Sequence, residues 1–325
     1  MPMPMRSSAP RSISCRHRLA GRGLIAAVVR RLQPGMVLLL AAAALLWSAP
    51  AAAADLPEIR ARGVLRHLGI RYAHFVTAEG RGLDVELVQG FAAELGLRYE
   101  LVPTNFYDAV RDLLGRELVK KGDQYELGAV APVRGDLVAA GFTRLPWREK
   151  LMLFSTPTFP SQVLLVTTAE APHPSIPPGA SLAEDIARTR RVLGRRSLLV
   201  MHRTCLDPAN YGLQGTGVDL RAYTASTLLD EMVPALLRGD AEFTLLDVPD
   251  AVLDLQRFAG RIRVIGPISE HQTLAAAFPP DAPLLRAAFD DYLKRVRADG
   301  RYDRLVNRYY PGIRRYFPEF FERYR

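Results

Sequence analysis

From Val64 onward, short apolar runs alternate with longer stretches whose apolar residues recur at helical spacing. Val64–Ile70 reads as a first strand. Leu87, Val88, Phe91, Ala92 and Leu95 then form one stripe, with Gly96 following as a helix stop. Leu97–Val102 predicts the next strand and Phe106–Leu118 a second amphipathic helix. Gly135–Thr143 is a small-residue apolar run that reads as a buried strand entering a turn. Gln162–Thr167 is apolar and β-branched, and Pro172, Pro174, Pro177, Pro178 and Gly179 then predict a surface loop. Beyond it come a strand at Ser197–Met201, a helix at Ser226–Arg238 and a strand at Glu242–Leu246. Pro234 lies inside that helix and is expected to kink or divide it. Thr273–Phe278 predicts further strand, and Asp281-Ala282-Pro283 opens a helix that ends before Gly300. Strands alternating with helices imply an α/β architecture with largely parallel sheets.

The N-terminus is different. Residues 1–54 hold seven arginines, no lysine and no acidic residue. After Arg30-Arg31 comes Met36–Trp47, an apolar run of 12 residues. A bilayer-spanning helix needs about 20. With Ala52-Ala53-Ala54 after it, the run reads as the core of a cleaved signal peptide, 1–54. The long stretch before Met36 is compatible with a start further downstream, and the absence of a cysteine at the cleavage site argues against a lipid anchor. The expected compartment is the periplasm.

Removing the leader changes the charge argument. The whole chain holds 43 basic against 34 acidic residues, a net +9, but without the seven leader arginines the balance is 36 to 34, or +2. Nucleic-acid binding therefore loses its electrostatic support, and no such partner is expected. One cysteine, Cys205, remains, so no internal disulfide can form; it reads as a half-buried small apolar residue rather than a nucleophile. Five scattered histidines show no metal-ligand spacing, and no metal or cofactor is expected.

About 271 residues follow the leader, enough for two domains. A first lobe is expected from 55–165 and 269–325, with a second, 166–268, inserted between them. Two crossing strands would then form a hinge, and ligands favour the cleft between such domains.

The richest stretch runs from Gly135-Asp136 through Ala139-Ala140-Gly141-Phe142-Thr143 to Pro146, Arg148 and Lys150, and on to Phe154-Ser155-Thr156-Pro157. This pattern resembles the bacterial extracellular solute-binding proteins of family 3, the polar amino-acid receptors of ABC importers. The resemblance includes Gly63-Val64-Leu65-Arg66, Tyr72-Ala73-His74-Phe75, Gly82–Leu87 and Asp299-Gly300-Arg301-Tyr302. Phe243–Asp247 is similar to the receptor-like module of membrane-bound lytic murein transglycosylase F, although no transglycosylase domain is expected here. The resemblance implies a two-lobed periplasmic-binding fold of the type II kind, each lobe a sheet flanked by helices. Val119–Val133 departs from the family pattern and reads as an extra loop or hairpin without an assigned role.

The resemblance also implies roles. Arg148 would bind a carboxylate, which a guanidinium grips with two parallel hydrogen bonds, and Thr143 would support the same group. Asp247 would bind an ammonium group from the opposite lobe; its bland reading is a helix cap before Val248-Pro249-Asp250. Tyr72 and Phe75 would stack on the ligand, with packing under the loop as the alternative. Thr204 stands where relatives place a Ser or Thr at a helix N-terminus, but Arg203 replaces the usual glycine, and its side chain is expected to face solvent. Core packing is the expected role of the aromatic, basic tail Tyr309–Phe321.

The expected function is capture of a small polar, zwitterionic or carboxylate ligand by hinge closure and its delivery to an ABC permease, by a monomer that is not an enzyme. Two alternatives stand beside it. One is a sensor module that contacts a membrane partner; the other is a dehydratase built on the same fold.

Overall fold

The structure is a computed structural model, and it describes residues 54–121 and 124–324. The expected leader thus lies outside the described residues except for Ala54. No described helix is long and apolar enough to cross a membrane.

The first lobe begins with α1 (Leu56–Arg62), β1 (Val64–Ile70), α2 (Leu83–Glu94), β2 (Arg98–Thr104) and α3 (Ala109–Leu114). Helix α3 is shorter than the expected Phe106–Leu118, because Gly115 turns left-handed (φ 63°) and Leu118 belongs to the next strand. That strand, β3 (Arg116–Lys121), pairs antiparallel with β4 (Gln124–Val130), so the departure from the family pattern is a hairpin. Then follow β5 (Leu137–Val138), the single turn α4 (Pro146–Glu149), β6 (Leu153–Phe154) and β7 (Phe159–Ser161).

The second lobe comprises β8 (Val163–Thr168), α5 (Leu182–Leu193), β9 (Ser197–Val200), β10 (Asp219–Ala222), α6 (Met232–Leu237), β11 (Phe243–Asp247), α7 (Val248–Arg257) and β12 (Ile262–Pro267). Its sheet has the order β10-β9-β11-β8-β12, with β8 antiparallel to both neighbours. Strand β8 lies wholly in this sheet. Pro234 does not kink a long helix. A 3-10 turn at Leu229–Glu231 precedes α6, and Pro234 sits in the first turn of α6, where a missing N–H loses no helical partner.

The chain returns through β13 (Gln272–Leu274) and β14 (Ala277–Phe278) to α8 (Pro283–Ala298), α9 (Arg301–Tyr309), α10 (Ile313–Tyr316) and α11 (Pro318–Arg323). Strand β14 completes the first sheet, in the order β2-β1-β5-β14-β6. Strands β7 and β13 pair antiparallel as a two-stranded ribbon between the lobes. Both ends of the described chain are tied into the first lobe. The Asp55 carboxylate accepts from the amides of Leu284 and Leu285 at 3.1 and 2.7 Å, capping α8 from a distance. Phe91 on α2 meets Phe289 on α8 edge-on at 5.2 Å. The aromatic tail also packs inward, as expected: Tyr310, Phe317 and Phe321 are buried, and Phe159 of the ribbon lies 4.8 Å from the Tyr310 ring.

The Asp136 of the sequence pattern is structural. Its buried carboxylate is paired with Arg62 and Arg66 at 2.5 and 2.9 Å, which anchors the entry to β5. His67 hydrogen-bonds Ala139 O and the Tyr99 hydroxyl across the same sheet, and burial lowers its pKa to about 4. Asp84 is also buried. It accepts one hydrogen bond, from Gly141 N at 2.6 Å, while Oδ1 has no partner, and burial raises its pKa to about 7. The folded state therefore holds a proton that the unfolded chain releases above its ordinary value of 3.8, so this contribution is present below pH 3.8 and lost as pH rises toward 7. Asp84→Asn keeps the acceptor for Gly141 and removes the ionisation. Its stability relative to wild type should rise by at most about 1.4 kcal/mol per pH unit across that window and level off above it, as measured by urea denaturation at a series of pH values. A pH-independent difference would show that Asp84 is not the group held protonated.

Candidate functional site

Pro146 starts the single turn α4, and this places Arg148 with its side chain directed inward, 1% exposed. Its guanidinium lies 3.8 Å from the Phe142 ring centroid and 5.1 Å from that of Trp147. Nη1 donates to the backbone carbonyl of Thr143 at 3.0 Å, but Nε and Nη2 are buried without a partner. Burial lowers its pKa to about 10, so the group stays cationic at neutral pH. A buried cation with unsatisfied donors is costly, by several kcal/mol in typical proteins. Nε and Nη2 form one edge of the guanidinium fork, the edge that takes a carboxylate bidentately.

Asp247 ends β11 and caps α7, with Oδ1 3.4 Å from Asp250 N. The cap reading is therefore correct, but it is incomplete. The same Oδ1 accepts from the Tyr72 hydroxyl of the first lobe, and Oδ2 accepts from the Cys205 thiol at 3.4 Å. Asp247 is 1% exposed, and burial raises its pKa. Burial, followed by the Asp247 charge, pushes the pKa of Tyr72 far above the usual phenol range.

Cys205 and Tyr211 join the two charges. Burial raises both of their pKa values, and each feels Asp247 and Arg148. Tyr211 donates to Cys205 O, and Gln272 Nε2 reaches the Tyr211 hydroxyl at 3.4 Å. Gln272 and Ser161 face each other on the ribbon, and Gln272 Oε1 and Ser161 Oγ are also buried without partners. Unpaired donors lie on α4 and unpaired polar atoms on both ribbon strands, while Asp247 in the second lobe has both carboxylate oxygens paired. Such a constellation suits a small molecule carrying groups of both signs.

Aromatic rings back the first-lobe side. Tyr72 stacks on Phe75 at 5.7 Å and meets Phe106 edge-on at 5.6 Å. Gly141, at φ 59°, lets these rings lie against the backbone, since a Cβ there would sit 2.5 Å from Phe75 and 2.8 Å from Tyr72. Phe75 is fully buried among Tyr72, Phe159 and Tyr310, so it props the Tyr72 ring from behind.

The Thr204 hydroxyl is buried in its own turn, donating to Met201 O and accepting from Leu206 N. The Thr143 carbonyl accepts from Arg148, which holds the guanidinium in place. Arg203 adopts the left-handed conformation (φ 62°), and instead of facing solvent its guanidinium reaches the Leu118 carbonyl of the hairpin at 3.4 Å. The hairpin makes further contacts. Tyr125 packs on Trp147 at 4.4 Å, and its hydroxyl lies 3.4 Å from Asp207 Oδ2 in the second lobe. Sequence reasoning missed Phe106, Ser161, Gln272, Cys205 and Tyr211 as neighbours of the site. A polar residue in each ribbon strand was the available signal for Ser161 and Gln272.

Residues 127–312 match the bacterial extracellular solute-binding proteins, family 3. The chain belongs to this family. It is 26% identical over 233 residues to a membrane-bound lytic murein transglycosylase F of Desulfosudis oleivorans (strain DSM 6200 / JCM 39069 / Hxd3), an alignment that covers 71% of this chain. The chain spans 44% of that relative's length. The fold is similar to the P235GK mutant of ArgBP from T. maritima (TM-score 0.62, 19% identity, 78% of this chain and 98% of that one). It is also similar to the ancestral amino acid-binding protein AncCDT-1, a precursor of cyclohexadienyl dehydratase (0.59, 22%, 78% and 98%). A third similar structure is AbpA from Streptococcus pneumoniae bound to L-arginine (0.57, 17%, 78% and 96%). These neighbours show the fold to be that of two-lobed amino-acid-binding proteins.

Tyr72→Phe would keep the aromatic stack of the family member and delete the donor that links the lobes. Leaving a buried acceptor short of a partner costs about 1–3 kcal/mol. Small-angle X-ray scattering should then give a larger radius of gyration for the variant, whereas an unchanged profile would show that this bond does not hold the lobes together.

Proposed function

We propose that this protein is a periplasmic receptor that closes its two lobes on a small molecule carrying a carboxylate and an ammonium group, and passes it to an ABC importer. The observation that carries this reading is the buried edge of Arg148, whose Nε and Nη2 have no partner within the protein. A carboxylate from the ligand would satisfy both donors at once. Asp247, presented by the opposite lobe, suits the ammonium group, and Gln272 Oε1 and Ser161 Oγ on the ribbon are further buried atoms without partners. A zwitterion would therefore pair with both lobes only when they close about the β7–β13 ribbon, which makes closure and binding one equilibrium. The arginine-rich apolar leader of residues 1–54 supports export.

Delivery to a different partner is a second reading, and the similarity to a murein transglycosylase favours it. A receptor module of that kind would report ligand closure to a membrane or murein enzyme. We read the protein as a binding protein rather than a dehydratase, because Asp247 is held by Tyr72, Cys205 and its own helix N-terminus.

Titration calorimetry with a panel of amino acids, small carboxylates and muropeptides tests this reading. Wild type should bind at least one of them near micromolar affinity, about 8 kcal/mol. Arg148→Ala should keep the fold by circular dichroism and lose roughly 2–5 kcal/mol of that affinity. Equal affinity in the variant would reject the site.

A further inference from the structure

A concavity lies between the lobes, and Arg148, Thr143, Ser161 and Gln272 do not line it. It has a volume of about 570 Å³, with Arg71–His74 and Val76–Ala78 of the first lobe on one side and Asp230 and α7 of the second on the other. Small-molecule sites commonly occupy about 300–1,000 Å³. We propose that this cavity binds an organic cation, an alkyl amine or alkyl guanidine, whose charged head pairs with Asp250.

Asp250 lines the cavity, is 5% exposed, and holds Oδ2 buried without a hydrogen-bond partner. Its surroundings are acidic. Asp254 follows one turn later on the same helix face, Asp247 precedes it at the cap, and Asp230 stands across the cavity with its own Oδ1 buried and unpaired. Two arginines line the same cavity, each beside one of the neighbouring acids. Arg71 pairs with Asp230 Oδ2 at 2.7 Å, and Arg257 acts on Asp254, whose pKa burial nevertheless raises to about 6. At Asp250 burial, and after it the charges of Asp247, Asp254 and Asp230, all favour the protonated form, so the protein itself brings no effective counter-charge there. A ligand cation would supply it.

The shape of the lining narrows the class. Val76 and Leu253 are apolar, and Tyr72 and His74 add ring surfaces, which suits a methylene stem behind the charged head. Among the described residues no group of three or more His, Cys, Asp or Glu side chains is arranged to hold a metal ion, so an organic cation fits better than a metal. The inference stands whether or not Arg148 receives a carboxylate, and probes without a carboxylate separate the two.

Titration calorimetry of the full chain with 1,5-diaminopentane and with n-butylguanidine tests the assignment. Wild type should bind both. Asp250→Asn, isosteric and neutral, should weaken binding at least about tenfold, the loss of one charge-assisted contact, while Arg148→Ala should leave it unchanged. Asp254→Asn supplies a second variant should Asp250→Asn prove unfolded by circular dichroism, and it too should weaken both probes. Absence of binding to wild type, equal binding to the folded Asp250→Asn and Asp254→Asn proteins, or loss of binding in Arg148→Ala would each overturn the proposal.

Discussion

A charge taken out of water must find an opposite charge or a full set of hydrogen bonds, and this constraint organises the region between the lobes. Arg148 is buried by a single helical turn and keeps two donors unpaired; Asp247 is buried at a strand end and fills its acceptors with groups from both lobes. Neither arrangement is what core packing alone would select, since an apolar residue at position 148 would cost less to bury. The guanidinium is tolerated because Phe142 and Trp147 offer ring faces and Thr143 offers a carbonyl. Those contacts orient the fork without saturating it, and orientation of this kind reduces what binding must later spend on ordering.

The connection between lobes is similarly divided. The β7–β13 ribbon supplies the covalent hinge, but noncovalent bridges among the described residues also cross the gap, including Tyr72 to Asp247, Arg71 to Asp230, Arg203 to the Leu118 carbonyl and Tyr125 to Asp207. Their strengths differ. The Arg71 pair is solvent-exposed, with side chains 52% and 36% accessible, and such pairs contribute about 0–1 kcal/mol. The Tyr72 bond is buried and dominates. The hairpin contact explains why a bulky arginine sits at a left-handed turn: its side chain reaches from the second lobe to a strand carbonyl of the first. Tyr125 on the same hairpin rests on Trp147, which itself flanks Arg148, so the insertion roofs the cleft rather than standing apart from it.

Helix α7 gathers an unusual concentration of acid. Asp247, Asp250 and Asp254 recur at the spacing of one helical face, and all three are buried. Like charges one turn apart oppose one another, and burial makes each carboxylate harder to ionise. The first of them is relieved by Tyr72, Cys205 and the helix N-terminus; the third is partly relieved by Arg257. Asp250 has no such relief within the protein, which sets it apart from its neighbours.

Much of this was written in the sequence. The strand Val64–Ile70, the helix closed by Gly96, the hairpin after Leu118 and the return of the C-terminal segment to the first lobe follow from periodicity, glycine punctuation and the family pattern, because local side-chain spacing dictates which face is buried. Arg148, Asp247 and Tyr72 were singled out through the family resemblance, and the structure shows all three buried. Other features depended on contacts distant in sequence. Only the packed structure decided that the Thr204 hydroxyl is spent within its own turn, that Arg203 reaches the hairpin, and that Ser161 and Gln272 meet across the ribbon. Hydrogen-bond partners 42 and 175 residues apart are chosen by tertiary packing, and no short-range pattern encodes which donor is left unpaired.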